Sequence, residues 1–209
     1  MGESHDAVGV ALCCSAAIRL GGAVRVLVDR SGLLDHYTPI MAGVENIRAF
    51  LGGRELDDEL RATAFAESWF LEARHPAEFP GRAFLKDWAS LVWCTVVPAR
   101  PGGESFGAAQ VLDLASQAAA AWPSTAPVGD FDTLAAFERS CLREAEDRLR
   151  RDGLPALWEL TEERSRQYRR VAEQLTGQPA RGHWPAPPTR GGGDGDGDAG
   201  APQTPRSPN

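Results

Sequence analysis

Lysine is almost missing from this chain. Of its 22 basic residues only Lys86 is a lysine, and 22 bases against 29 acids leave a net charge of −7. A chain of that sign does not draw its affinity from neutralising phosphates or an anionic bilayer surface, so neither a nucleic-acid nor a membrane partner is expected. There is no Cys-x-x-Cys among the four cysteines (Cys13, Cys14, Cys94 and Cys141), which removes the usual zinc and redox frameworks and leaves buried free thiols. No Gly-rich phosphate loop, Gly-x-Ser-x-Gly elbow or His-Glu-x-x-His occurs, so no cofactor and no metal are expected. The start lacks a basic n-region and the apolar stretch 7–18 stops at Arg19, short of a bilayer span. Asp6 stands where myristoylation wants Ser or Thr. These absences together point to the cytoplasm. The preference for Arg over Lys, with Ala-rich helices, reads as GC-rich coding and a bacterial source.

What is present is helix. The hydrophobic fraction of 43% is ordinary for a globular protein, and 209 residues suffice for one domain with a real core. Apolar spacing and helix punctuation predict an all-α, single-domain bundle of six or seven helices over residues 1–177, followed by a disordered Pro/Gly/Asp-rich tail over 178–209. The first helix starts at Ser4 or Asp6 and runs to Leu20 or, through Gly21 and Gly22, to Arg30, with a break or kink expected at the glycine pair. The second has Thr38 as N-cap, Pro39 at its first position, a stripe of Ile40, Val44, Ile47 and Leu51, and Gly52 or Gly53 as its stop. Asp57 caps the third, which ends before Pro76. The fourth, from Arg82 to Val97, is apolar over most of its circumference and therefore central, with Trp88 in the core.

Ser105 is the expected cap of an Ala-rich fifth helix ending at Trp122, and residues 123–130 read as a plain linker. Asp130 or Asp132 caps the sixth, with Leu134, Phe137, Cys141, Ala145 and Leu149 on one face. Gly153 stops it, Pro155 opens the seventh, and the two form a hairpin with charged outer faces. Four oppositely charged i,i+4 pairs lie there: Glu144 with Arg148, Glu146 with Arg150, Asp147 with Arg151 and Glu162 with Arg166. In the tail only His183 and Trp184 could dock.

Four clusters carry candidate chemistry. Asp194, Asp196 and Asp198 have the spacing of calcium-loop ligands, but Ala199 and Pro205 replace the required Gly and Glu. Glu72-Ala-Arg-His75 resembles the Glu-x-x-His of di-iron helical bundles, which need a second copy that this chain lacks. Asp57 and Asp58, with Glu59 and Glu67, resemble the metal-binding acids of terpene cyclases, although acids in a first helical turn also answer the helix dipole. Arg30 and His36 are spaced similarly to the pair used by small helical ribonucleases of the HEPN type, where the resemblance implies proton transfer by histidine and charge stabilisation by arginine.

The aromatics concentrate between residues 65 and 93, where they either pack a core or line a pocket between helices two to four. Glu45, Asp58, Glu67, Glu72, His75 and Asp87 are the polar groups such a pocket would use, and Glu45, Glu67, Glu72 and His75 are its candidate catalytic residues. The leading expectation is a non-catalytic module that binds another protein, or itself, through the hairpin 131–176. A helical-bundle enzyme or small-molecule binder is the alternative, and a HEPN-like ribonuclease a minor one.

Overall fold

The longest apolar stretch of the chain becomes its axis. In the computed structural model, which describes residues 4–73, 81–97 and 108–176, helix α1 (Ser4–Arg30) is continuous, and every residue from 9 to 24 is buried. Its stretch Ala7–Arg30 is long and apolar enough, by length and composition, to cross a bilayer, and most of it lies inside the bundle. A helix apolar all round needs neighbours all round. α2 (Leu34–Leu51), α4 (Arg82–Val96), α5 (Ala108–Ala120) and α6 (Leu134–Thr176) supply them. The remaining helix, α3 (Asp58–Ala73), packs only on α2 and α4, so α3 and α6 cover opposite sides. No strand occurs among the described residues, and the architecture is an all-α bundle.

The expected kink at Gly21 and Gly22 is absent, for a packing reason. A Cβ on Gly22 would lie 2.2 Å from the carbonyl oxygen of Ser165, so the glycine lets the backbones of α1 and α6 touch. Tyr37 uses the neighbouring gap: its hydroxyl donates to the Gly21 carbonyl at 2.9 Å, and its ring stacks on Trp88 at 5.9 Å. Close backbone approach offsets what glycine costs a helix interior.

α2 begins a turn earlier than its punctuation suggests. Leu34 is its first residue, Thr38 is no cap but donates its hydroxyl to the Leu34 carbonyl, and Pro39 lies inside the helix. A proline there takes the N–H that would have bonded the Asp35 carbonyl. Contacts of the extra turn compensate: Tyr37 packs on Trp88, and His36 bonds α3. The other end is as expected. Gly53 has φ +91°, and the Gly53 and Arg54 N–H groups return to Phe50 and Ala49, the bonding pattern of a Schellman stop. Asp57 caps α3 through the N–H groups of Glu59 and Leu60, also as expected.

α4 is central: Phe84, Leu85, Trp88, Leu91 and Val92 are all fully buried, and the Trp88 indole donates to the Ala17 carbonyl at 2.9 Å. α5 ends at Ala120, two residues short of Trp122, whose ring sits edge-on to Phe84 at 4.8 Å. Its expected cap Ser105 lies outside the described residues, as do Pro76 and the whole tail 178–209.

The linker is more than a spacer. Val128 and Phe131 exchange backbone hydrogen bonds of 2.7 and 3.0 Å across a tight turn at Gly129. Because that turn occupies residues 128–131, the start of α6 shifts, and Thr133 rather than Asp130 or Asp132 caps it by accepting from the Ala136 N–H.

Gly153, with φ +80° and ψ −171°, breaks α6 into limbs 134–152 and 154–176. The limbs run antiparallel: Phe137 meets Tyr168 at 5.2 Å and Glu144 meets Arg164 at 2.5 Å. This is the expected hairpin. Of the four expected charge pairs, Glu146–Arg150 forms at 2.6 Å, while the Arg151 Nε donates to the Asp147 carbonyl instead of its carboxylate. Glu144 turns to Arg164 across the hairpin, and Glu162 to Arg48 of α2 at 2.6 Å. These two acids face neighbouring helices, where a partner fixed by packing competes with one held by two long solvated side chains.

Candidate functional site

Of the polar groups expected to line a pocket between α2, α3 and α4, Glu45, Asp58 and Glu67 each take a different partner. Glu45 is exposed on α2 and lies 3.4 Å from Arg48, while Asp58 is exposed and paired with Arg61 at 2.8 Å. Glu67 is half-buried and bonds His36 Nδ1 at 2.7 Å. Its partner His36 lies nine residues from Glu45 along α2, about 14 Å of helix. Asp87 is half-buried on α4, and the side chain of Glu72 and all of His75 lie outside the described residues. Arg30 donates to the Thr176 carbonyl at 3.2 Å, so it bonds α6 while His36 bonds α3. Among the described residues no group of three or more His, Cys, Asp or Glu side chains could hold a metal ion.

The most organised polar cluster was not anticipated. Arg19 of α1 and Glu138 of α6 form an ion pair of 2.7 Å with both side chains wholly buried. Arg19 Nη1 donates to Ser15 at 2.5 Å, Ser15 lies 2.7 Å from Thr161, and the buried Arg19 Nε has no hydrogen-bond partner among the described residues. Thr161 spends its own proton on the Leu157 carbonyl, so Ser15 donates to Thr161 while accepting from Arg19. The Tyr168 hydroxyl donates to the second oxygen of Glu138. Burial alone lowers the Arg19 guanidinium, but the Glu138 carboxylate outweighs it, and the net direction is up. Burial, followed by the charge of Glu138, pushes the Tyr168 hydroxyl well above its ordinary range, so it stays a donor.

The sequence signal for this cluster is an arginine inside an apolar run and a glutamate four residues after Leu134 on a buried stripe. The cluster joins both limbs of the hairpin to α1. None of its residues lines any of the surface grooves described below, so it has the form of a fastening between helices.

The aromatics between residues 65 and 93 divide into two groups. Phe84 and Trp88 are fully buried in the core. Phe65, Trp69 and Phe70 point outward, exposed by 43%, 58% and 40%, and Phe79 is outside the described residues. Phe65, Trp69 and Phe70 line none of the grooves described below. Instead Trp69 stacks on the half-buried Trp93 of α4 at 5.5 Å, and Phe65 tilts against the same ring at 6.0 Å. The Trp93 indole donates to Ser68 at 2.5 Å and Ser68 to the Phe65 carbonyl, which locks this ridge from beneath. Beyond Arg61 every exposed described side chain of α3, namely Ala62, Phe65, Ala66, Trp69 and Phe70, is apolar. A solvated helix face normally carries charge there.

The grooves are shallow and elsewhere. One of about 420 Å³ lies between the 128–131 turn and the second limb of α6, walled by Val128, Phe131, Phe137 and Val171 and edged by Arg164 and Arg170. A second of about 410 Å³ includes Glu45, Arg48 and Trp158, with the Arg48 guanidinium 5.4 Å from the Trp158 ring. A third, smaller one of about 220 Å³ lies between Arg25, Arg30 and Arg169.

The four thiols are free and buried. Burial is the first cause of every shift: Cys94 rises to about 11 and Cys141 to about 12, and Cys13 and Cys14 rise further. The thiolate is the nucleophilic form, so none of the four is activated at neutral pH.

No family model, no curated protein and no solved structure matches this chain.

Proposed function

We propose that this chain is a non-catalytic helical module that binds another protein, with the outer face of α3 at the centre of the contact. The observation that carries the reading is the uninterrupted apolar surface of Ala62, Phe65, Ala66, Trp69 and Phe70, braced by Trp93. Aromatic side chains dominate the energetics of interfaces, and rings held rigid by their own packing lose little entropy on binding. The dispersal of Glu45, Asp58 and Glu67 supports the same reading, because general acid–base chemistry needs its groups within reach of one reacting atom.

The hairpin 131–176, expected from sequence to be the contact face, exposes mainly Arg, Glu and Asp. Such charges steer an approaching partner and set encounter rates more than they hold it. On this reading the hairpin guides and α3 binds. The composition that suggested a bacterial cytoplasm supports seeking the partner there. The small-molecule alternative is favoured by the groove edged by Arg164 and Arg170 over Phe131 and Phe137, whose volume of about 420 Å³ lies within the range of ligand sites.

The test is retention of proteins from the native cell on the tagged full chain, compared with its Phe65→Ser/Trp69→Ser variant. Loss of a hot-spot aromatic is worth about 2 kcal/mol, enough to lower retention more than tenfold. A protein retained by the wild type, lost with this variant and kept with Arg150→Ala is the expected result. Equal retention by both chains, with an anionic aromatic ligand raising the melting temperature, would overturn it for the groove.

A further inference from the structure

We infer that the aromatic ridge of α3 and α4 is the seat of the chain's own Pro185-Ala-Pro-Pro188 segment. The inference rests on the preceding reading of α3 as a protein-contact face, and it adds an occupant of that face from within the chain.

The chemistry of the ridge selects this kind of occupant. Extended Pro-rich segments of the form Pro-x-x-Pro dock on surfaces lined with aromatic rings, because the polyproline II conformation is already ordered and its proline rings pack flat against them. Trp69, Trp93 and Phe65 form such a surface, pre-set by the Trp93–Ser68 hydrogen bond. The sequence from 177 to 193 contains Trp184, four prolines, Arg181 and Arg190 and no acid. It is the one aromatic stretch of the tail.

The tether reaches. α6 ends at Thr176, whose carbonyl accepts from Arg30 at the corner between α1 and α2, and His36 in the first turn of α2 bonds Glu67 of α3. Thr176 is thus separated from α3 by at most three helix-to-helix steps, about 24–30 Å at 8–10 Å each. The eight residues 177–184, which bring Trp184 to the ridge, span about 26–29 Å when extended. The register also fits. From Trp69 back to Asp58 is about 17 Å of helix, and the six steps from Trp184 to Arg190 would span about 19 Å if docked as polyproline II. With Trp184 at the Trp69 end, Arg190 arrives at Asp57, Asp58 and Glu59, all exposed at the start of α3.

The experiment places a benzophenone amino acid at position 184 of the full chain, irradiates it at two protein concentrations and maps the cross-linked peptides by mass spectrometry. Cross-links within one chain, to residues 62–70 or to Trp93, are expected at both concentrations. Their yield should fall about five-fold, the equivalent of roughly 1 kcal/mol, in Trp69→Ser. A second variant, Ala62→Arg, charges the same face without removing an aromatic side chain and should act alike. Cross-links between two chains that grow with concentration would make a second copy the occupant and overturn the proposal. Cross-links to any other face, or none, would overturn it too. The two readings fail separately: α3 variants that lose a retained partner while position 184 links elsewhere leave the contact face standing and sink only the cis cover. The reverse outcome sinks the contact face.

Discussion

α3 and the α6 hairpin close opposite sides of one bundle with opposite patterns. α3 turns Ala62, Phe65, Ala66, Trp69 and Phe70 to the outside and keeps the polar Ser68 and the Glu67–His36 pair beneath them. The hairpin turns Arg139, Arg143, Asp147 and Arg150 of its first limb outward, with Glu162, Arg166 and Arg170 of its second. Beneath that charge it buries Glu138 and Tyr168 against Arg19. The difference teaches that the polarity of a helix face reports what the face must meet. The hairpin meets water outside and fixed neighbours, α1 and α5, inside, and its buried ion pair suits only α1. α3 is attached through two helices and shows the outside a surface that water does not favour.

Three measurements would break or sharpen this contrast. The largest effect belongs beneath the hairpin. Glu138→Ala leaves Arg19 charged and buried without a counterion, which costs about 3–5 kcal/mol. Replacing both members by apolar residues, Arg19→Met with Glu138→Leu, should recover most of that loss, because the desolvation penalty disappears with the charges. Urea midpoints of the three chains decide it. A single variant within about 1 kcal/mol of wild type would show that water reaches the pair.

The second is a pH slope. Cys141 lies on the same buried stripe, and burial, then Glu138, raises its thiol to about 12. Above the ordinary thiol range the unfolded chain has released this proton and the folded chain still holds it. Stability is therefore full below about pH 8.5 and falls as pH rises toward the folded value, by about 1.4 kcal/mol per unit for this one group. Cys141→Ala should flatten the urea midpoint between pH 9 and 11 by that slope. Equal slopes in the two chains would place the thiol in contact with solvent.

The smallest effect is on α3. Trp69→Ser should change stability by no more than about 1 kcal/mol, because the ring is 58% exposed. The fully buried Trp88 would cost about 3–5 kcal/mol on truncation to alanine. A Trp69 variant as damaging as one at Trp88 would make the ridge part of the core and remove the contact surface.

Much of the architecture was legible because helix ends are written locally. Asp57 bonds N–H groups two and three residues on, and Gly53 and Gly153 supply positive φ where the chain must turn. Where the punctuation misled, a tertiary contact competed with it. Thr38 and Pro39 have the look of a helix start, yet Tyr37 and His36 gain more by extending the helix onto Trp88 and Glu67. The candidate site was less legible. The aromatic density between residues 65 and 93 was plain, but its division into a core half and an outward half depends on which helix lies across each face.

By itself the sequence determined an all-α bundle, the order of its helices, the hairpin about Gly153 and the burial of Trp88 and the cysteines. These follow from spacing and from bonds that span three or four residues. Only the tertiary structure decided that Gly22 is a contact with Ser165 rather than a kink, that Arg19 finds Glu138 119 residues away, and that Glu144 and Glu162 leave their i,i+4 partners for other helices. It also decided that Phe65 and Trp69 face outward. The physical reason is common to all of these: the energy of a buried or half-buried group is set by the side chain opposite it, and no local spacing names that side chain.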